Sequence, residues 1–186
     1  MLNRCGEVGL SHHGAKRHWS ALLDWDTVTE KDLERVMHST DEQTAFYGYH
    51  VFATAMENPE KSLLSEKELQ TGMEVTAQQI AWGVPKRLAS ALQAASCAAE
   101  RRPDLLTERC TELVLNGLAQ LLDETRITSE DTMKMASEKG NIRSEAVCLA
   151  AKLDEKSSTE EGRETLERWR AVSCDPEEFA EIRTAR

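Results

Sequence analysis

Basic charge is what this chain most conspicuously lacks. It carries 23 Lys and Arg against 33 Asp and Glu, for a formal net charge of −10. Residues 1–58 sum to −4, residues 59–110 are neutral and residues 111–186 sum to −6. A protein whose main work is gripping phosphate backbones needs a cationic face, so the charge argues against that class. The acidity is interleaved with Lys and Arg at helical spacing, as on a solvated surface, and is not uniform enough for a nucleic-acid mimic. Aromatics are scarce as well, at 5%. Leu, Ala, Val and Met must therefore do most of the packing, which suits closely packed helices better than a β-sandwich. No apolar run approaches the roughly 18 residues that would span a bilayer, and no apolar h-region of a secretory signal stands in the leading residues. Among the five cysteines, at 5, 97, 110, 148 and 174, there is no CxxC. Cys97, Cys110 and Cys148 fall in apolar helical patterns, where Cys acts as a small hydrophobe. An odd, widely spaced set favours a reducing compartment, so a cytoplasmic location is expected.

What is present reads as an all-α protein. Hydrophobic residues make up 40% of the 186 and charged residues 30%, a normal globular balance for one domain. Residues 1–18 carry Gly6, Gly9, Gly14 and three of the five histidines without apolar periodicity, and read as a flexible arm. Residues 19–186 read as a single helical domain. Thr29-Glu30-Lys31-Asp32 and Ser39-Thr40-Asp41-Glu42 resemble capping boxes. The second would open a helix with Phe46, Tyr49, Ala53 and Met56 on one stripe. Ser65-Glu66-Lys67-Glu68 starts another, with Leu69, Met73, Ala77, Ile80 and Val84 inward, ended by Gly83 and Pro85. Pro85 suits the first turn of the next helix, whose small stripe is Leu88, Ala91, Leu92, Ala95, Ala98 and Ala99. The most apolar stripe runs Leu106, Cys110, Leu113, Val114, Gly117, Leu118 and Leu121, and that helix is expected to be central. Further starts fall at Thr128, Asn141, Ser158 and Asp175, with Gly140 closing the first of these four. The total is about nine short helices, and the short connections make sequential neighbours antiparallel.

Helix starts near residues 40, 65, 86, 104, 129 and 141 place alternate starts about 37 to 46 residues apart. In this period and amphipathicity the chain from Thr40 onward resembles HEAT and armadillo helical-repeat proteins. The resemblance implies three or four stacked helix pairs. After Thr128 the spacing shortens, and an irregular helical bundle is the alternative architecture.

No glycine-rich phosphate loop, G-x-S-x-G, H-E-x-x-H or Glu-x-x-His di-iron pattern occurs. No catalytic residue, metal site or cofactor is therefore assigned. Cys5, His12, His13 and His18 are zinc-compatible ligand types, but their spacing matches no standard finger. Asp24-Trp25-Asp26 reads as a surface turn, and His38 and His50 as hydrogen-bonded structural histidines. The most informative polar group is Lys86, Arg87, Arg101, Arg102 and Arg109, in the neutral third of the chain. Arg101 and Arg102 fall at a helix C-terminus, which favours cations; Lys86 and Arg87 fall at an N-terminus, which opposes them. With Trp82 beside them, the expected partner-binding residues are Trp82, Lys86, Arg87, Arg101 and Arg102. The expected role is a non-enzymatic interaction or scaffold module for another protein within a larger complex. A nucleic-acid-associated repair-type helical repeat and a ligand-binding helical bundle are the alternatives.

Overall fold

The computed structural model describes residues 30–57, 59, 62, 64–153 and 159–172. The arm over residues 1–18, Asp24-Trp25-Asp26, Cys5, Cys174 and the helix expected from Asp175 lie outside the described residues. Among the described residues there are seven α-helices and no strand, fewer than the nine expected. They are α1 (Glu30–Met37), α2 (Glu42–Glu57), α3 (Glu66–Trp82), α4 (Pro85–Arg101), α5 (Glu108–Glu124), α6 (Met133–Lys152) and α7 (Glu160–Val172), with a 3-10 turn at Pro103–Leu105.

Local chemistry sets most of the boundaries. Ser65 and Glu68 form a reciprocal capping box at the start of α3. Thr107, Thr132 and Thr159 each accept a backbone N–H from the residue three positions on, opening α5, α6 and α7. The cap of α2 is Asp41, whose carboxylate accepts the Thr44 N–H at 2.7 Å, and not Ser39 as the sequence suggested. Gly83, at φ 62°, ends α3 in the left-handed region, and Pro85 two residues later begins α4.

The connection after α5 departs from expectation. Residues Thr128–Asp131 form a turn and not a helix start, and α6 runs unbroken through Gly140 and Asn141. Arg143 explains why the chain stays helical there. Its guanidinium donates to Leu122 O at 3.2 Å and to Thr125 Oγ1 at 3.3 Å. It also lies over the Trp169 ring, 5.4 Å from the centroid. Although only 8% exposed, this cation neutralises the carbonyl end of α5.

The helices pack in two rows, with α2, α4 and α6 side by side in one and α1, α3, α5 and α7 in the other. The rows join mainly through α1 on α2, α3 on α4 and α6 on α7, whereas α5 and α6 touch sparsely. The buried surface is continuous through Phe52, Met73, Ile80, Leu92, Val114, Leu118, Leu149 and Trp169. The Trp169 indole N–H donates to Leu118 O at 2.8 Å, satisfying the one polar atom of a fully buried ring. Three glycines mark close crossings. A Cβ on Gly48 would meet Met37 at 3.0 Å, one on Gly72 the Phe52 ring at 2.8 Å, and one on Gly117 the Ile80 carbonyl oxygen at 2.5 Å. Leu118 and Val114 are buried as expected, but α5 is not the centre. That place belongs to α4, which packs on α2, α3 and α6. Nor does α2 carry a single stripe. Its position against α1 and α4 buries Ala45, Tyr47, Val51 and Phe52 as well as Tyr49 and Met56, while Phe46 stays half-exposed.

Candidate functional site

The expected basic cluster is divided by the length of α4. Lys86 and Arg87 stand in its first turn, Arg101 at its end and Arg102 at its C-cap. At 1.5 Å per residue the two pairs lie about 20 Å apart. Arg102 is held in a carboxylate clamp, 2.6 Å from Glu66 and 2.7 Å from Asp104. That clamp holds the Asp104 carboxyl below its usual range, the Arg102 hydrogen bond being the main cause. Arg101 pairs with Glu100 at 3.4 Å. Glu100 in turn receives Lys152 at 2.7 Å, joining α4 to α6. This end of α4 therefore serves to fasten helices together.

The other end is more open. Trp82, the last residue of α3, is 63% exposed, one of three large apolar side chains left exposed among the described residues, with Met133 and Met135. Its ring stands 6.4 Å from that of His38. Behind it runs a polar chain. The Gln79 amide donates to His38 Nδ1 at 3.2 Å, and Arg87 donates to the Gln79 carbonyl at 3.3 Å. His38 thus has the structural bond the sequence suggested. The side chain of Lys86 falls outside the described residues. Beneath lies Tyr49, whose buried hydroxyl has no hydrogen-bond partner among the described residues. Burial pushes its phenol above the ordinary value, and the nearby Arg87 charge offsets part of that.

Gly83 and Pro85, at the same corner, also line a groove of about 960 Å³ that the sequence did not foretell. Its floor and walls include Phe46, Leu88, Ala89, Leu121 and Ile142, with Met135 on the far wall. The groove lies between the start of α4 and the first half of α6. Residues 133–142 are exposed or half-exposed, and burial begins at Arg143. Met133 and Met135 are consequently 75% and 46% exposed. Asp41, Glu42, Glu124 and Glu138 stand on the rim. Of the two lysines there, Lys139 is bound to Asp131 at 2.8 Å and Lys134 lies 3.8 Å from Glu138. The one sequence signal for this feature was the Met-Lys-Met run opening an otherwise polar helix. The acidic rim comes from three separate segments, so no spacing could reveal it.

Among the described residues, no group of three or more His, Cys, Asp or Glu is placed to hold a metal ion, and no helix is long and apolar enough to cross a membrane. Cys97, Cys110 and Cys148 are free, and burial pushes the Cys97 and Cys110 thiols up. The chain matches no protein-family model, no curated protein and no solved structure.

Proposed function

We propose that this chain is a non-enzymatic helical interaction module, working inside the cell as part of a larger protein assembly. The observation that carries this reading is Trp82. A large amphipathic ring left 63% exposed at a helix corner, beside an open groove, is what a protein-binding hot spot requires. The stacking of each helix on the one two places earlier supports a HEAT-like arrangement, the architecture in which helical repeats offer extended surface. Arg87 and Lys86 flank this corner and belong to the proposed surface. Arg101 and Arg102 do not, because their partners and distance separate them from it. A nucleic-acid role gains no support from cations divided between the two ends of a helix, beside a groove with a carboxylate rim.

Capture of partners by the full chain and by Trp82→Ala, compared by quantitative mass spectrometry, tests the reading. The variant should keep its helical circular dichroism and melting midpoint, because the ring contributes little to the core. It should lose about 1–3 kcal/mol of partner binding. Equal capture by both proteins, or tight binding of nucleic acid at physiological salt, would overturn the proposal.

A further inference from the structure

We infer that the groove between α2, α4 and the first half of α6 receives an amphipathic helix with cations flanking its apolar face. This deepens, and rests on, the interaction-module reading. Three observations lead to it. The groove has an apolar floor, Phe46, Leu88, Leu121 and Ile142, laid between helices. Its far wall carries Met135, an adaptable thioether suited to receiving another helix face. Three of the four carboxylates on its rim are left uncompensated. Among the described residues, Asp41, Glu42 and Glu124 form no ion pair, and one of the two rim lysines is already bound to Asp131.

The shape selects a helix over an extended strand. A strand bound in a groove gains its affinity from main-chain bonds to a sheet edge, and the described residues contain no strand. A helix satisfies its own backbone and needs only an apolar face. In the row formed by α2, α4 and α6, residues 133–142 of α6 are exposed or half-exposed and line the groove opposite Leu88 and Ala89 of α4, a space where helix packing is incomplete. The incoming helix completes that packing, and its Lys or Arg residues meet Glu42, Asp41 and Glu124 at the rim.

The test uses the full chain and a labelled synthetic helix with a leucine face and lysine flanks, followed by fluorescence anisotropy. Its counterpart with glutamate flanks serves as the control. The lysine peptide should bind and the glutamate peptide should not. Glu42→Lys combined with Glu124→Lys should weaken binding about tenfold or more, with a salt-dependent affinity. Glu164→Lys combined with Glu167→Lys on α7 changes the net charge equally and should weaken it far less. Ala89→Trp fills the floor without altering charge and should also abolish binding. Met135→Ala, at an exposed wall, should reduce it measurably even if Ala89→Trp fails to fold. Equal losses from both charge reversals, or indifference to the floor and wall variants, would show attraction to net charge alone and overturn the inference. Preference for the glutamate peptide, or binding of neither, would overturn the cationic occupant. Trp82-dependent capture of a partner would then still leave the interaction-module reading standing. Tighter peptide binding by Lys16→Glu with Arg17→Glu would assign the groove to the chain's own leading segment and overturn an external partner.

Discussion

Gly117 and Gly140 both lie inside helices, yet a methyl group added to each meets opposite surroundings. On Gly117 it would fall 2.5 Å from the Ile80 carbonyl oxygen and 2.7 Å from its carbon, both backbone atoms. Neither can retreat without prying α5 from α3, so Gly117→Ala should cost about 1–3 kcal/mol. On Gly140 the nearest atom is Ile127 Cδ1 at 3.9 Å, an ordinary contact. Removing backbone freedom from a helix interior there should gain about 0.5–1 kcal/mol. Urea unfolding should show midpoints moving in opposite directions, and a fall for Gly140→Ala would mean that α6 is not continuous. The same pair shows what could be read in advance. Gly83 was legible as a helix end because Pro85, two residues on, forbids continuation. Gly140-Asn141 looks like a similar stop, but the deciding partners of Arg143 lie on α5 and α7, beyond any local window. Trp82 stands at the helix end that Gly83 and Pro85 mark, whereas the distance from there to Arg101 and Arg102 is the length of α4.

At the scale of the element, α6 divides into two halves with different supports. The second half is held by packing and by Arg143. The first is fastened chiefly by Asp131, whose carboxylate accepts Lys139 Nζ at 2.8 and 2.9 Å and the Thr128 N–H at 2.8 Å. Lys139 also donates to Arg126 O at 3.1 Å. The lysine, and after it the backbone N–H, hold the Asp131 carboxyl below its ordinary value. A carboxylate depressed in the folded state stabilises fully above its ordinary range, near 4, and that contribution is lost as pH falls through its lowered folded value. Glu145 in the second half behaves oppositely. Burial raises its carboxyl, so protonation in acid relieves it. Acidification below about pH 4 should therefore lower hydrogen-exchange protection over Met133–Gly140 before Arg143–Lys152. Asp131→Asn should show low protection in the first half already at neutral pH, and uniform loss along α6 would refute this division. Amphipathic periodicity foretold α3, α4 and α5 because each has a dominant buried stripe. It misjudged α2, where apolar residues face more than one neighbour, and the first half of α6, which has little to bury.

At the scale of the whole molecule, extensive packing among the described helices reaches no farther than the helix two places away. Stability is then shared among neighbours, as in a one-dimensional array, and a defect should stay near its origin. Leu166 on α7 is fully buried, and Leu166→Ala should cost about 2–5 kcal/mol locally. Exchange protection should fall in α7, α6 and α5 and be nearly unchanged in α1 and α2. An equal fall everywhere would show all-or-none opening. The all-helical class was legible from composition and punctuation alone. Stacked helix pairs stood there only beside an irregular bundle, because the order depends on which faces meet, and glycine crossings such as Gly117 on Ile80 decide that only in three dimensions.

The sparse contact between α5 and α6 has a mechanical consequence. Tension applied between α1 and α7 would be carried largely along the odd-numbered row, through α3 and α5. The even-numbered row would share the load through the α3–α4 and α6–α7 junctions and through the Arg143 guanidinium that bridges to α5. Shear between α5 and α6 meets that side chain, the few direct contacts and the Lys139 bonds to the connection, so compliance concentrates there. The wall of the groove that bears Met135 is the part of the molecule that such a displacement would swing.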